Sequence, residues 1–309
     1  MKKANSVKAG FSLSLAFFLS ALAMMVIEGC EVVSTAAKVG AVAGVITPQQ
    51  AAGIAKTAAA VEKTQEEITP SQEYYIGRTV GAVITNKYKV YQNDRATEYL
   101  NEMGQTIATM SDLPETFGGY HFLILDSDEI NAFAAPGGLI FVTRGLLRCC
   151  KSEDAAAAIL AHEIGHVEHR HGLNAIKKSR ITTAITTGLL EAGKSLTNAQ
   201  VAELTNVFEG SIHDITSTLI NSGYSRAFEK QADLGAVRIL QRAGYDPQGL
   251  IDMLQAMETH LKPGGLDFAK THPAPEIRIK SIHEAFGSFR PVDEHLKRQA
   301  RFKQDLAGI

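Results

Sequence analysis

An alanine-rich run from Ala155 to Ala161 leads without a break into His162-Glu163-Ile164-Gly165-His166-Val167-Glu168-His169-Arg170-His171, and no other stretch restricts the fold as tightly. The pattern has chemical meaning only on a helix. Histidines four apart project from one helical face, one turn above the other, so two imidazoles can grip a single cation. Glu163 lies one step round from His162, within reach of a water on that cation without taking a ligand position. Gly165 removes a side chain where substrate or metal must come close. Ser152 is placed to cap this helix, with Glu153 and Asp154 stabilising its positive end. His-Glu-x-x-His is the spacing that holds zinc in hydrolases, but a helix can carry it without a metal.

Two histidines do not complete a catalytic zinc site, which takes three protein ligands and a water. The missing piece lies in Ser225-Arg226-Ala227-Phe228-Glu229-Lys230-Gln231-Ala232-Asp233. Glu229 and Asp233 are i and i+4, so both carboxylates face one way. One can ligate zinc while the other bonds the far nitrogen of a ligand histidine and fixes its orientation. Alone, the segment also reads as a solvated face with Lys230 and Arg226 as partners. The two segments together predict one Zn2+ per chain.

At 309 residues the chain can bury one sizeable core or two small ones. Trp is absent and Ala and Gly are plentiful, which favours a mostly helical body; with the short strands expected below, the fold class is mainly α with a small sheet (α+β). The net charge of −2 without a long basic run argues against a nucleic-acid partner. At the N-terminus Lys2, Lys3 and Lys8 precede the 17-residue apolar stretch Phe11 to Ile27, the layout of a secretory signal. Ile27-Glu28-Gly29-Cys30 resembles a bacterial lipoprotein box, with Cys30 lipidated after cleavage, although Glu28 is an awkward neighbour for that cut. An uncleaved anchor helix is the other reading. Either way the chain is exported and membrane-tethered, and Glu31 resembles an outer-membrane address rather than inner-membrane retention. Cys149 and Cys150 can bridge only through a strained ring; they are otherwise buried thiols or partners of another chain.

Four parts are expected: a signal at 1–29, an Ala-rich tether and helix at 30–68, the main domain at 69–290 and a C-terminal helix at 291–309. Thr47-Pro48-Gln49-Gln50 and Thr69-Pro70-Ser71-Gln72 are capping boxes, predicting helices from Pro48 to about Glu67 and from Pro70 to about Tyr88. Another helix is expected over Arg95 to Met110. His121 to Asp126 and Leu139 to Thr143 read as strands of a hairpin-like sheet, with Asn131 to Gly138 as a turn. The stretch from Gly172 to Tyr224 reads as two helices joined at Gly193-Lys194. Further helices are expected at Arg226 to Ala243, Pro247 to His260, Pro275 to Phe286 and Val292 to Leu306.

HEIGHVEHRH with SRAFEKQAD resembles the HtpX and CAAX-prenyl-protease family of zinc metallopeptidases, most of all its periplasmic branch. The likeness extends through Asn131-Ala132-Phe133-Ala134 with Pro136-Gly137-Gly138, Gly145-Leu146-Leu147, Gly244-Tyr245-Asp246-Pro247 and Thr271-His272-Pro273, roughly residues 69 to 286. It implies a zincin-like domain with His162, His166 and Glu229 as ligands, Glu163 as general base and Asp233 behind a ligand. The strand Gly138, Leu139, Ile140, Phe141, Val142 and Thr143 would be the edge on which an extended substrate pairs. Gln231 replaces a Glu of many relatives and is expected to be harmless; His171 is expected to be structural, and His169 to be a surface or partnered histidine. The spanning helices and carboxy-terminal repeats of some relatives are not expected.

These readings predict metal-assisted peptide hydrolysis of unfolded or misassembled envelope proteins. His272 and Tyr224 are candidates for stabilising the oxyanion, His272 being preferred, and His272 could instead fill the open ligand position. A competing expectation is a zinc-containing lipoprotein that binds envelope clients as a chaperone or assembly factor, with cleavage latent.

Overall fold

The computed structural model describes residues 30–44, 47–49, 51–55, 68–174, 216, 219–220, 223–260, 272–289 and 296–309. Contacts divide the chain into two units, Met1–Glu67 with Ile176–Ser211 and Ile68–Ala175 with Ile212–Ile309. In the first unit the expected tether is helical instead: α1 spans Cys30–Val42, in keeping with its Ala-rich, Pro-free sequence. Residues 48–49 and 51–55 are helical, as the Thr47 box predicts, and the rest of that helix lies outside the described residues. So do the signal segment 1–29 and nearly all of the two helices expected between Gly172 and Tyr224. Among the described residues no helix is long and apolar enough to cross a membrane.

The second unit begins with α2 (Pro70–Lys87), whose N-cap Thr69 forms the full capping box with Gln72. The helix α3 (Asp94–Ala108) is capped by Asn93. Three strands follow: β1 (His121–Leu125), β2 (Ala132–Ala135) and β3 (Leu139–Thr143), the last two joined by a 3-10 turn at Pro136–Gly138. Gly137 (φ 77°) and Gly138 (φ 97°) make that turn in a conformation L side chains rarely adopt. The helices α4 (Arg144–Cys149), α5 (Glu153–Glu168), α6 (Arg226–Ala243), α7 (Gln248–His260), α8 (Pro275–Phe286) and α9 (Leu296–Asp305) complete the unit. Ser152 accepts from Ala155 N and Ser225 from Phe228 N, so α5 and α6 begin where expected; α4, capped by Thr143, was not expected, and α3 starts one residue earlier than expected.

The sheet departs from expectation. Its order is β1-β3-β2, with β1 parallel to β3 and β2 antiparallel to β3. The hairpin is therefore β2–β3, and β1 pairs directly with β3 although β2 lies between them in sequence. Because β3 is paired on both sides, Leu139, Ile140, Phe141 and Val142 cannot offer an open edge to a substrate, and Gly138 belongs to the turn. The miss arose at Ala132-Phe133-Ala134-Ala135, too short and alanine-rich to look like a strand beside Pro-Gly-Gly. Alternation along β3 gives both faces work. Ile140 and Val142 enter the main core, while Phe141 lies against Gly81 of α2. Buried Glu73 of α2 accepts from Gly137 N at 3.3 Å and so holds the turn.

Every residue of α5 from Ala155 to Val167 is buried, so this helix is the spine of the core. Its first turn is pinned by more than the expected capping charge. Glu153 is buried and accepts from Tyr99 (2.8 Å), Tyr245 (3.0 Å) and Arg301 of α9. The C-terminal helix is thereby fastened to the helix that carries the motif. Cys149 and Cys150 are buried free thiols, donating to the Gly145 and Leu146 carbonyls.

Candidate metal centre

The face of α5 that bears His162 and His166 packs along α6. A Cβ on Gly165 would sit 3.1 Å from the Ala232 carbonyl oxygen and 3.2 Å from its Cα. Gly165 therefore makes room for the α6 backbone, not for substrate or metal as its position in the motif suggested. The close approach has a consequence, because Ala232 lies between Glu229 and Asp233. Both carboxylates are carried onto the two imidazoles.

His162 Nε2 and His166 Nε2 face each other at 3.1 Å. Glu229 Oε1 lies 3.4 Å from His166 Nε2, and Oε2 lies 3.6 Å from His162 Nε2. All three side chains are buried. Two ring nitrogens and a carboxylate with a hydrogen-bond orphan, Glu229 Oε1, thus converge away from water. A tetrahedral zinc with bonds of about 2.1 Å has ligand–ligand separations of ~3.4 Å, close to these spacings. Nitrogen and oxygen donors are also what zinc accepts, so the residues fit the ion.

His272 joins them. Its Nδ1 is 2.6 Å from Glu229 Oε2, and one donor atom from each of His162, His166, Glu229 and His272 lies within 4.8 Å of every other. The corner expected to be open to solvent thus has a fourth side chain beside it. The cause lies in α8, which starts three residues after His272. Buried Arg278 of that helix makes a two-pronged pair with Asp233, Nη2–Oδ1 2.6 Å and Nε–Oδ2 2.9 Å, which draws the start of α8 onto the site. Asp233 Oδ1 in turn lies 3.0 Å from His162 Nδ1.

Electrostatics separates the two imidazoles. Burial and the Arg278 charge press His162 down, but the bonds to Asp233 and Glu229 outweigh them and bring it up to about 9. Burial dominates at His166 and takes it down to about 3. Burial opposes ionisation of Asp233, yet Arg278 and His162 hold it at about 2. Glu229 likewise stays well below the usual carboxylate range despite its burial, held there by His272 and His166. Glu163, also buried, is pushed up to about 7 by burial; His162 and Arg278 pull against this while Glu229 adds to it. It sits among the charges of the centre.

Tyr224 stacks on His166 with ring centroids 4.2 Å apart and donates to the Ala134 carbonyl at 3.1 Å. His169 is paired with Glu168 at 3.3 Å. Sequence reasoning missed Arg278, although the signal was present: Pro275, Arg278 and Ile282 share the buried face of α8, and an arginine on an apolar stripe needs a buried partner.

Residues 94–285 match the model of peptidase family M48. The chain is 28% identical over 202 residues to the beta-barrel assembly-enhancing protease of Escherichia coli (strain K12), covering 63% of this chain and 40% of that protein. It is 29% identical over 242 residues to the putative beta-barrel assembly-enhancing protease of Vibrio cholerae serotype O1, covering 74% and 48%. To the mitochondrial metalloendopeptidase OMA1 of Schizosaccharomyces pombe it is 29% identical over 194 residues, covering 61% and 52%. The chain thus spans about half or less of the length of these relatives. With the family model covering more than half of its residues, the chain belongs to peptidase family M48, whose members are zinc metallopeptidases.

Proposed function

We propose that the chain is a membrane-tethered zinc metalloendopeptidase that hydrolyses peptide bonds of unfolded or misassembled cell-envelope proteins. The observation that carries this reading is the convergence of His162, His166 and Glu229, from two helices far apart in sequence, with Glu163 beside them. In it, His162, His166 and Glu229 hold the ion, and Asp233 orients His162. Zinc held there supplies an electrophile that acidifies water and polarises the scissile carbonyl. Glu163 takes the proton of the attacking water on a carboxylate oxygen and passes it to the leaving amine.

An extended peptide needs backbone partners, and β2 is the strand that has them. Thr143 N donates to Asn131 O, so by alternation Asn131, Phe133 and Ala135 point to β3 while Ala132 and Ala134 point away. Tyr224 would leave the Ala134 carbonyl as a substrate strand docks. The envelope assignment draws support from the names of the beta-barrel assembly-enhancing relatives, from the signal-like segment 1–29 and from Cys30 as a candidate lipidation site. The outer membrane is the address suggested by Glu31.

A second reading, a zinc-containing assembly factor with latent cleavage, is favoured by one observation: His272 joins His162, His166 and Glu229 as a fourth possible ligand. Casein digestion with and without a chelator tests both. Glu163→Gln is expected to abolish cleavage with zinc retained, and full activity would remove Glu163 from the mechanism. His272→Ala raises cleavage if His272 blocks the site, and lowers it if His272 stabilises the oxyanion.

A further inference from the structure

Just past the C-cap of α5, His169, the chain makes a turn that the hydrolytic reading does not need. Arg170 adopts φ 52°, and it is the one non-glycine residue at positive φ among the described residues. Left-handed backbone is strained for an L-residue, and such strain persists only where its surroundings enforce it. The turn brings the next residue back under the helix. His171 is 0% exposed, with Nδ1 2.9 Å from His166 Nδ1 and Nε2 3.1 Å from Gln231 Oε1. Its ring lies flat on Phe228, with centroids 4.3 Å apart and planes 9° apart.

We propose that His171 is a positioning residue of the metal centre, holding His166 in the tautomer and orientation that leave Nε2 free for a cation. An amide oxygen only accepts, so the contact with Gln231 requires the His171 hydrogen on Nε2. A neutral imidazole carries one N–H, so His171 Nδ1 is an acceptor. The 2.9 Å contact is then attractive only if His166 donates from Nδ1. One hydrogen per ring leaves the lone pair of His166 on Nε2, the atom facing His162 and Glu229. Ligand histidines are commonly oriented by a carboxylate or carbonyl behind them; here a second imidazole does that work and an amide fixes its direction. Gln231, exposed at the end of the relay, therefore has a part to play in this chain.

The inference rests on His166 being a zinc ligand, and packing of His171 on Phe228 is its competitor. His171→Phe keeps an aromatic ring on Phe228 and removes the acceptor. His171→Asn removes the ring and places an oxygen where Nδ1 stood. Zinc affinity of the purified full chain, read by competition with a chromophoric chelator, is expected to fall about 10–100-fold in His171→Phe and to stay near wild type in His171→Asn. The reverse order, or a His171→Phe protein that holds zinc like wild type, overturns the proposal. If wild type takes up no zinc and matches His166→Ala, the proposed function fails instead. Should neither His171 variant fold, nitrogen-15 histidine spectra of the wild type still decide. They are expected to show His166 as the Nδ1–H tautomer and His171 as Nε2–H, and the opposite pair sinks the idea.

Discussion

His162 and His166 present Nε2 to the same cluster from the same helix face, yet they are supported from behind by different chemistry. Behind His162 stands a buried ion pair, Asp233 with Arg278, anchored on α6 and α8. Behind His166 stands an uncharged relay, His171 and then Gln231, flanked by the stacked rings of Tyr224 and Phe228. A charged support is coupled: neither Asp233 nor Arg278 can be lost without leaving the other buried without its ion-pair partner. A neutral support can be altered one contact at a time, at lower cost. The two flanks should therefore fail in different ways.

The charged flank should give the largest effect. Arg278→Leu leaves the Asp233 carboxylate buried without its counter-charge, and removing one member of such a pair costs about 3–5 kcal/mol. A urea melt is expected to show a loss of that order, together with weakened zinc binding as Asp233 is freed from its position. A variant as stable as wild type would mean that water reaches Asp233 and that the flanks do not differ. Next in size is Gly165→Ala, which strikes both flanks at once. Its Cβ meets the Ala232 backbone, which cannot swing aside like a side chain. Overpacking of this kind costs about 1–3 kcal/mol, against about 1 kcal/mol gained from replacing a helical glycine. The expected outcome is a net loss of up to about 2 kcal/mol, with zinc affinity lowered as α6 is pushed away. Unchanged zinc affinity would show that Glu229 reaches the site without close helix packing.

Much of this was legible in the residues because it is local. Caps at Thr69 and Ser152 mark where α2 and α5 begin, and i, i+4 spacing picks out both halves of the cluster that could hold a metal. What escaped is what depends on distant pairing. The parallel union of β1 with β3 leaves no trace in either strand, and β2 hides in an alanine-rich run beside Pro-Gly-Gly. Gly165 was rightly singled out and wrongly explained, since only the packing reveals that the helix α6 fills the space. The bond of His171 to His166 escaped because it depends on a left-handed turn at Arg170, a residue type that gives no hint of one.

Tyr224 offers the smallest and most selective probe of the neutral flank. Tyr224→Phe keeps the ring on His166 and deletes only the hydroxyl that caps the Ala134 carbonyl. One such bond contributes about 0.5–1.5 kcal/mol, so a modest drop in stability is expected, with zinc affinity unchanged because the stacked ring remains. Kinetics separates two roles for the hydroxyl. If it closes the β2 edge, deleting it frees the acceptor that an extended peptide must use, and KM falls while kcat holds. If it stabilises the oxyanion, kcat falls and KM holds. The bond to Ala134 favours the first outcome, since a hydroxyl engaged by a strand carbonyl has to be released before it can serve a substrate. A drop in kcat alone would move Tyr224 from the substrate edge to the reaction itself, and the neutral flank would then contain a catalytic group that the charged flank lacks.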